Sequence, residues 1–442
     1  AFGVDTSRQR IDSTHIRSYM RRLGRISLFA STIKKFLTNL RRRHQELFAT
    51  QIPSELAERY LGKGKGGCFS QVKPSQAHKS LRLVSEDLLF LVEEFKGHRE
   101  VSRLPSFHLL QRVLEEQCIV SQGRDGEKRV KVKPPKEIPS ASLQNPSDPE
   151  ATYDGHKGQG YQVQVMETYT PEEQSDEPKP HLITHIEVQR AHQSDAETLI
   201  PAIKRSKERG CAPQELAADA SYGGDENIEE AAKLDVEVIS PVGGRRPSKL
   251  GLEHFRFSQR GEQVEACPQG HKPEKWWKRK KGRFVALFSL KHCQGCPLRA
   301  ECPVQLGKKG GYLRYSAQGI RLAERRTHQG TAAFREKYRW RAGSEGTNSH
   351  LKWDTGAGRL RVRGFAPVRY CVTLKALGLN ILRVTSAQIA RLRAKGALAY
   401  GLMAKSFAFL RTKKRPPVFF QPIISFFDQF RLSKSVCLQW AA

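Results

Sequence analysis

Residues 338–352 read YRWRAGSEGTNSHLK, and the fold of the chain is organised around them. Tyr338, Arg341, Glu345 and Lys352 follow one another at intervals of three, four and seven residues. At 3.6 residues per turn these intervals return to one face of a helix. The spacing therefore predicts that a phenol, a guanidinium, a carboxylate and an ammonium project in one direction. A lone carboxylate among cations suits no hydrophobic core, but it can present a metal-binding oxygen beside groups that hold a polyanion.

The composition favours a nucleic-acid partner. Lys and Arg number 76 against 45 Asp and Glu, which gives a formal net charge of +31 over 442 residues. This charge suits the phosphates of nucleic acid, with an anionic membrane surface as the alternative. No apolar run could span a bilayer, no signal peptide is evident, and nine cysteines in so basic a chain do not suggest a secreted disulfide scaffold. We therefore expect a soluble cytoplasmic protein of roughly two or three domains.

Hydrophobic periodicity predicts an α/β protein with a mixed sheet. Strand-like alternation is clearest in GYQVQVMETY (160–169), where apolar residues alternate with glutamines. Strand, hairpin, helix, strand, helix and strand then follow one another, as in an α/β layout. The predicted segments, in chain order, are a strand at 7–17, helices at 23–61, 78–97 and 104–121, a proline-rich linker or arm at 122–150, a hairpin of 160–169 and 181–189, a helix at 194–210 capped by Ser194, a strand at 215–219, a helix at 225–234, a strand at 236–240, an irregular basic segment at 243–315, a helical stretch at 316–353 and a final amphipathic helix at 366–395.

Three acids that are far apart in the sequence can meet in such a fold. Asp12 and Asp219 each lie at a strand that a mixed sheet could place side by side, and Glu345 lies on a later helix that could pack across that sheet. Carboxylates converging in this way form a hard-oxygen site for Mg²⁺ or Mn²⁺. Two such ions about 3.5–4 Å apart stabilise the attacking and leaving oxygens of a phosphodiester in an in-line displacement. No protein nucleophile is then needed.

Other interpretations of these acids stay open. Single Asp residues usually cap turns or helices, and Asp5, Asp148 and Asp154 are rivals for the place of Asp12. Asp12 is preferred because it adjoins an apolar strand residue. Glu345 could instead be a solvent-exposed carboxylate paired with the arginine four residues before it, although the full four-residue spacing disfavours this.

Four cysteines cluster in the later part of the chain. Cys293 and Cys296 form a C-x2-C pair, with Cys267 before it and Cys302 after it. A C-x2-C pair has the geometry of two thiolates on one tetrahedral zinc ion, and two further thiolates complete the shell. His271 is an alternative fourth ligand, and four reduced cysteines without metal are the alternative to a zinc site.

Two basic segments are candidate DNA contacts. KWWKRKKGR (275–283) interleaves tryptophans with cations, and GRLRVRGF (358–365) alternates arginine with apolar residues, as in an extended edge whose arginines face one way. A basic run is more commonly a solvated face, but the second segment follows the helix that carries Glu345. The candidate contacts here are Trp276, Trp277, Arg359, Arg361 and Arg363.

Several of these stretches together resemble a bacterial insertion-sequence transposase of the DDE class. They are QRIDSTHI (9–16), GHKGQGYQVQVMETY (155–169), ADASYGGDENI (218–228), the cysteine segment, and Y-x2-R-x3-E-x6-K followed by GRLRVRG. The resemblance implies that Asp12, Asp219 and Glu345 are a metal-binding catalytic triad. It also implies that Tyr338, Arg341 and Lys352 contact DNA phosphates near the cut.

The resemblance implies a ribonuclease H-like mixed sheet with two insertions. It divides the chain into the first catalytic strand (1–20), a helical insertion and linker (21–150), the core of the ribonuclease H-like domain (151–242), a basic cysteine-bearing insertion (243–315), the catalytic-Glu helix with the C-terminal helix (316–395) and a basic, aromatic tail of unassigned role (396–442).

The activity implied is transposition in the bacterial, nucleoid-associated cytoplasm. Such an enzyme binds the double-stranded transposon ends as a homodimer or higher oligomer, cuts with Mg²⁺ or Mn²⁺, and joins the 3′-hydroxyl to target DNA. These proteins usually carry a helical DNA-binding region before the first catalytic strand, and the chain begins at Ala1 rather than Met, so a truncated or frameshifted copy is considered. The alternatives are a decayed or domesticated DNA-binding protein without catalysis and a metal-dependent DNA nuclease.

Overall fold

The computed structural model describes residues 4–62, 69, 72–123, 126–171, 179–244, 250–258, 262–280 and 282–394. The predicted tail at 396–442 lies outside the described residues. The helices are α1 (Arg25–Arg43), α2 (Gln45–Gln51), α3 (Ser54–Leu61), α4 (Ala77–Phe95), α5 (Pro105–Gln117), α6 (Leu199–Glu208), α7 (Asp225–Ala232), α8 (Leu290–Gln294), α9 (Ala317–Gln329), α10 (Ala332–Tyr338), α11 (Gly343–Trp353) and α12 (Phe365–Ala394). The strands are β1 (Arg8–Ile16), β2 (Cys118–Gln122), β3 (Lys128–Val132), β4 (Thr152–Asp154), β5 (Gly158–Thr168), β6 (Ile183–Arg190), β7 (Glu215–Ala217), β8 (Glu237–Ile239), β9 (Arg256–Phe257), β10 (Val264–Ala266), β11 (Lys275–Arg279), β12 (Arg283–Phe288), β13 (Gln305–Gly307) and β14 (Gly310–Ser316).

A mixed sheet with helices on both faces forms the centre of the protein, as predicted. The strand order is β4-β5-β1-β7-β8, and β6 also pairs with β5. β1 runs antiparallel to β5 and parallel to β7, which is parallel to β8. On one face Ile16 and Val163 pack against α11 and α12, and on the other Ile11 and Met166 pack against α6 and its neighbours. This arrangement is a mixed α/β fold.

β5 is buried on both faces, whereas its alternation predicted a strand with one polar face. Gln162 and Gln164 are 3% and 0% exposed. Both amides donate hydrogen bonds to Asp195. A buried polar group needs such a partner, so the polar face of this strand is an internal network rather than a solvated surface.

The helices between β1 and β5 have a hydrophobic core of their own. Phe36 on α1 contacts Phe95 on α4 and Phe107 on α5, with ring centroids 5.6 and 5.8 Å apart. The helix predicted at 23–61 is divided into α1, α2 and α3, with Pro53 at the start of the third. The linker predicted at 122–150 is wrong in part, because β2 and β3 pair as a hairpin and apolar residues of β3 pack on this core.

The cysteine-bearing segment contains an ordered antiparallel sheet, so the prediction of an irregular segment is wrong there. The sheet has the order β11-β12-β14-β13. Phe284, Ala286 and Phe288 on β12 and Leu313 on β14 form its core. Their alternation is the signal for a strand, and the many lysines and arginines around it masked that signal.

The helical stretch predicted at 316–353 is broken into three helices. α9 ends at Gly330, and the Thr331 side chain caps α10 by accepting the Phe334 N–H. A 3-10 turn, Arg339–Ala342, then leads into α11. The prediction that Tyr338, Arg341, Glu345 and Lys352 share one face of one helix is therefore wrong, since they lie on α10, the turn and α11.

The C-terminal helix forms as predicted, and no helix among the described residues is suited to cross a membrane. The predicted helix at 366–395 is confirmed as α12, whose Val368, Val372, Ala376 and Leu379 are buried at helical spacing. Within the described ranges, no helix combines the length and the apolar character needed to cross a bilayer.

Candidate catalytic site and the cationic segments

Strand pairing places Asp219 beside Asp12. In the parallel ladder of β1 and β7, Arg8 pairs with Glu215 and Arg10 with Ala217. Two further residues in the same register bring Asp219, just beyond the end of β7, to the level of Asp12. The carboxyl ends of parallel strands are the edge at which α/β sheets bind ligands.

Asp12 is a buried carboxylate with four hydrogen-bond donors. It is 8% exposed. Oδ1 accepts the Ser13 N–H at 2.9 Å and Arg341 Nη2 at 3.2 Å, and Oδ2 accepts Ser344 Oγ and Asn348 Nδ2, both at 3.2 Å. Burial raises the pKa of Asp12 above its usual value; the charge of Asp219 adds to this, and Arg341 opposes it. A buried anion beside a second anion is an environment that favours a bound cation.

Glu345 is linked to Asp12 through Arg341. The guanidinium Nη1 lies 3.2 Å from Glu345 Oε1, while Nη2 contacts Asp12. The Glu345 side chain is 70% exposed. Glu345 is thus paired with Arg341, as its alternative interpretation held. The same arginine also contacts Asp12, the predicted acid on β1.

The predicted acids lie close enough to Tyr338 to act on its pKa. Burial raises the pKa of Tyr338, and the charges of Asp219, Asp12 and Glu345 raise it further against the effect of Arg341. All three predicted acids therefore act on this one hydroxyl. Burial and then the charges of Asp195, Asp12 and Asp219 raise the pKa of the fully buried Tyr222, so two of the three predicted acids also act on that hydroxyl.

Asp195 is a fourth acid at this edge, and sequence reasoning missed it. Its Oδ2 accepts hydrogen bonds from Ser13 Oγ at 3.1 Å and Ser221 Oγ at 3.3 Å. Ser221 in turn donates its backbone N–H to Asp219 Oδ1 at 2.7 Å. Ser194 is the predicted cap, accepting the N–H of Ala196. An Asp just after a cap is ordinarily a first-turn carboxylate, so no sequence signal distinguished Asp195.

The rivals for Asp12 are structural. The fully buried Asp148 accepts the Tyr161 hydroxyl at 2.6 Å. Asp154 accepts two backbone N–H groups in the turn that follows it. Asp5 accepts the N–H and hydroxyl of Ser7. Each of these carboxylates has a turn or core contact that accounts for it.

The donor set fits a hard divalent cation only in part. Asp12 and Asp219 supply neighbouring carboxylate oxygens, the ligands that Mg²⁺ prefers. Among the described residues, however, no three His, Cys, Asp or Glu side chains are grouped so that they could hold a metal ion. The physical reason is Arg341, whose guanidinium lies between Asp12 and Glu345. Glu345 joins the other two as a ligand only if this guanidinium moves.

The four clustered cysteines line one small cavity. Cys267, Cys293, Cys296 and Cys302 surround a volume of about 30 Å³ beside the core of the β11–β14 sheet. All four are free thiols. Burial raises the pKa of Cys293 and Cys302, and the other thiols of the cluster add to it. The predicted ligands are thus neighbours, although their present arrangement is not that of a metal site.

The two basic segments differ in how they present their side chains. Trp276 is part of the sheet core, since its Nε1 donates to the Tyr315 hydroxyl at 2.7 Å and its ring stacks on Phe284 at 5.8 Å. Trp277 is half-buried on the same strand. Residues 358–363 run extended beside residues 17–19, with Tyr19 N–H donating to Val362 at 2.9 Å.

Exposure alternates along that segment, since its arginines are exposed and the apolar residues between them are not. Leu360 is 2% exposed, and the three exposed residues around it are Arg359, Arg361 and Arg363. Lys352, on α11, lies close enough to Asp12 for that carboxylate to act on its pKa. Of the predicted cations on this segment and on α11, Lys352 is thus the one that acts together with Asp12.

Comparison with known proteins gives one match. Neither curated proteins nor solved structures include a match to this chain. Residues 266–385 match the family model described as a Transposase DDE domain. The matched range contains Glu345, Arg341 and the four clustered cysteines, but it does not reach Asp12 or Asp219. The match covers about a quarter of the chain, and it shows that this part is similar to a transposase DDE domain.

Proposed function

We propose that this protein is an insertion-sequence DNA transposase with a ribonuclease H-like core. It cuts the phosphodiesters at transposon ends with the aid of Mg²⁺ or Mn²⁺ and joins the freed 3′-hydroxyl to target DNA, as a dimer or higher oligomer. The observation that carries the proposal is that Arg341 contacts both Asp12 and Glu345, while the register of β1 and β7 brings Asp219 to the level of Asp12. The match of residues 266–385 to a transposase domain supports it independently.

The metal would be held by Asp12, Asp219 and Glu345. It would supply activation of the attacking water or 3′-hydroxyl and charge neutralisation at the leaving oxygen. The protein positions these ligands on rigid elements: β1, the loop after β7 and the first turn of α11. Ser344 and Asn348 fix the orientation of the Asp12 carboxylate.

Arg341 has a second role in this proposal. Without metal its guanidinium balances the negative charge of Asp12 and Glu345. When cations bind the carboxylates, the guanidinium is released to a DNA phosphate, for which its planar donors are suited. Tyr338 and Lys352 flank it as further phosphate contacts, and the exposed arginines of residues 358–363 extend the basic surface.

The direct test is cleavage of DNA that carries the inverted repeats flanking the gene. The purified protein should nick this DNA at the repeat end in Mg²⁺ and leave it intact in EDTA. Binding of the repeat without cleavage in either condition would instead support the second candidate, a DNA-binding protein without catalysis. The observation that favours this candidate is the Arg341 guanidinium between two of the three acids.

Replacing Asp195 should weaken the site without removing a ligand. Asp195→Asn keeps an oxygen acceptor for the buried amides of Gln162 and Gln164, but it removes the oxygen that Ser13 and Ser221 share and with it the support of Asp219. Loss of such outer contacts typically costs about 10–100-fold in metal affinity or activity. We expect cleavage to need correspondingly more Mg²⁺ for half-maximal rate. Glu197→Ala, on the same turn but exposed, is the matched control; equal Mg²⁺ dependence of both variants would refute this role.

We further propose that zinc binds the four clustered cysteines and stabilises the β11–β14 sheet. Their common cavity supports this, and binding would require the thiols to move inward and deprotonate. Metal analysis of the protein purified without chelator should find about one equivalent of zinc, as expected for a closed tetrahedral site. Cys296→Ser should lose it. Protein that holds no zinc in either form would rule the site out.

A further inference from the structure

A strongly cationic groove opens beside the candidate catalytic acids. It begins at Ser13 and Thr14, the two residues that follow Asp12 on β1, and has a volume of about 630 Å³. This is in the range of pockets for small ligands, roughly 300–1,000 Å³. A short length of one nucleic-acid strand would fit.

The lining of the groove is positively charged and contains no carboxylate. Its basic lining residues are Arg17, Arg22, Lys157, Lys352 and Arg359, and no Asp or Glu lines it. None of these five forms an ion pair with another residue in the ranges that the structure describes. Elsewhere Lys337, for example, is paired with both Glu215 and Glu237. Crowded cations without carboxylates are typical of a surface that binds a polyanion.

The crowding is clearest at the ammonium groups of Lys157 and Lys352. Burial lowers the pKa of Lys352, the positive charge of Lys157 lowers it further, and Asp12 opposes both. Arg22 lies over the start of β5, next to Lys157, with its guanidinium 3.5 Å from the position of a Cβ at Gly158. A phosphate between these groups would relieve their mutual repulsion.

Trp353 adds an aromatic surface to the groove. It follows Lys352 at the end of α11, lines the groove and is 78% exposed. The neighbouring Trp340 is instead stacked on Tyr169, with ring centroids 6.1 Å apart. An exposed indole in a basic groove is the combination by which proteins bind single-stranded nucleic acid, with a base stacked on the ring. Bases inside a duplex already stack on each other, so this surface selects unpaired nucleotides.

We propose that this groove binds an unpaired DNA strand adjoining the scissile phosphate, with a base stacked on Trp353 and phosphates on Lys157, Lys352 and Arg359. The proposal deepens the proposed function and rests on it for the identity of the nucleic acid. It adds Trp353, Lys157, Arg17 and Arg22 to the predicted DNA contacts.

Binding measurements in EDTA test the groove without requiring catalysis. The probes are a fluorescent duplex with a short single-stranded tail and the same duplex with blunt ends. Trp353→Ala should weaken binding of the tailed probe about 5- to 150-fold and leave the blunt probe unchanged, whereas Trp353→Phe should retain most of the affinity for the tail. Tyr370→Ala, which removes a 62% exposed aromatic on α12, is the matched control and should change neither.

The salt dependence tests the phosphate contacts. Lys157→Ala should reduce the slope of log affinity against log salt for the tailed probe by about 0.7, the value for one contact to a single strand. The control is Lys233→Ala, at the far end of α7, which should leave the slope as it is. An unchanged slope in Lys157→Ala would overturn the assignment of that lysine as a phosphate contact.

The outcomes separate this proposal from the proposed function. Equal weakening of tailed and blunt probes by Trp353→Ala would show that the groove contacts duplex, and no weakening of either would show that it contacts no DNA; both results overturn the proposal. A protein that prefers tails through Trp353 but never cuts DNA would contradict the transposase and keep the groove. A protein that cuts DNA normally while Trp353→Ala leaves tail binding unchanged would support the transposase and overturn the groove proposal.

Discussion

Replacing Asp12 by Asn should reduce Mg²⁺-dependent cleavage of transposon-end DNA by on the order of 10³-fold or more, the loss expected when a group that acts in the transition state is removed. The amide keeps the size of the side chain and its contacts to Ser344 and Asn348, but it removes the anionic oxygen that would hold the metal. Asp219→Asn and Glu345→Gln should have losses of the same order. Gel assays of strand cleavage with saturating protein measure all three.

The controls distinguish lost chemistry from lost structure. Each variant should bind the end DNA at least as well as the wild type, because it removes a negative charge beside the phosphates. Asp5→Asn, which changes a turn carboxylate that was a rival of Asp12, should cut normally. Normal cleavage by any of the three site variants would remove that residue from the triad.

Asp12→Asn should also retain or gain thermal stability. Burial raises the pKa of Asp12 in the folded protein. A group whose folded-state pKa is raised contributes stability that is present at low pH and lost as the pH rises through that raised value. At neutral pH the ionised carboxylate therefore costs stability, and the amide removes this cost. A melting temperature well below that of the wild type would show instead that the hydrogen bonds donated to the carboxylate by Ser13 N–H and Arg341, which an amide nitrogen cannot accept, dominate.

Glu167→Ala should destabilise the protein by about 3–5 kcal/mol, the typical effect of removing one partner of a buried ion pair. Glu167 is 1% exposed; its Oε1 accepts Arg10 Nε at 2.8 Å, and its Oε2 accepts Arg383 Nη1 and Thr347 Oγ1, both at 2.7 Å. The truncation leaves two guanidinium groups without their shared anion. Urea unfolding followed by circular dichroism measures the difference.

The same change should impair the candidate site. Arg10 also donates to the Trp340 carbonyl at 2.8 Å, and its guanidinium fills the space where a Cβ at Gly343 would lie. The network thus joins β1 and β5 to the turn and helix that carry Arg341 and Glu345. Glu86→Ala, which breaks an exposed ion pair with Arg82 on α4, should stay within about 0.5 kcal/mol of the wild type. A loss of stability in Glu167→Ala no larger than in this control would contradict the network's role.

Local patterns in the sequence predicted much of the architecture. The apolar strand residue next to Asp12, the hairpin of β5 and β6 and the amphipathic α12 were all indicated by periodicity. The site was predicted as a set because the spacing of Tyr338, Arg341, Glu345 and Lys352 is longer and more specific than any single acidic residue. Tyr338, Arg341 and Glu345 do lie together in the structure, although they belong to α10, a 3-10 turn and α11 rather than to one helix.

The errors have physical causes. Position 343 needs glycine because the guanidinium of Arg10, more than 300 residues upstream, fills the space where a Cβ would lie. Such a tertiary constraint leaves no periodic signal. Asp195 was missed because its partners lie on β1, β5 and the loop after β7. The sheet in the cysteine segment was missed because the apolar alternation of β12 is short. The many basic side chains around it hid that signal.

The most direct test of the central proposal is Mn²⁺ binding, measured by electron paramagnetic resonance on the complex with end DNA. The wild-type complex should bind Mn²⁺, and Asp12→Asn, Asp219→Asn and Glu345→Gln should each weaken that binding strongly while the DNA stays bound. Arg341→Gln, which removes the competing guanidinium, should let Mn²⁺ bind without DNA. Undiminished Mn²⁺ affinity in any of the three acid variants would show that the carboxylate concerned is not a metal ligand and would contradict the shared site.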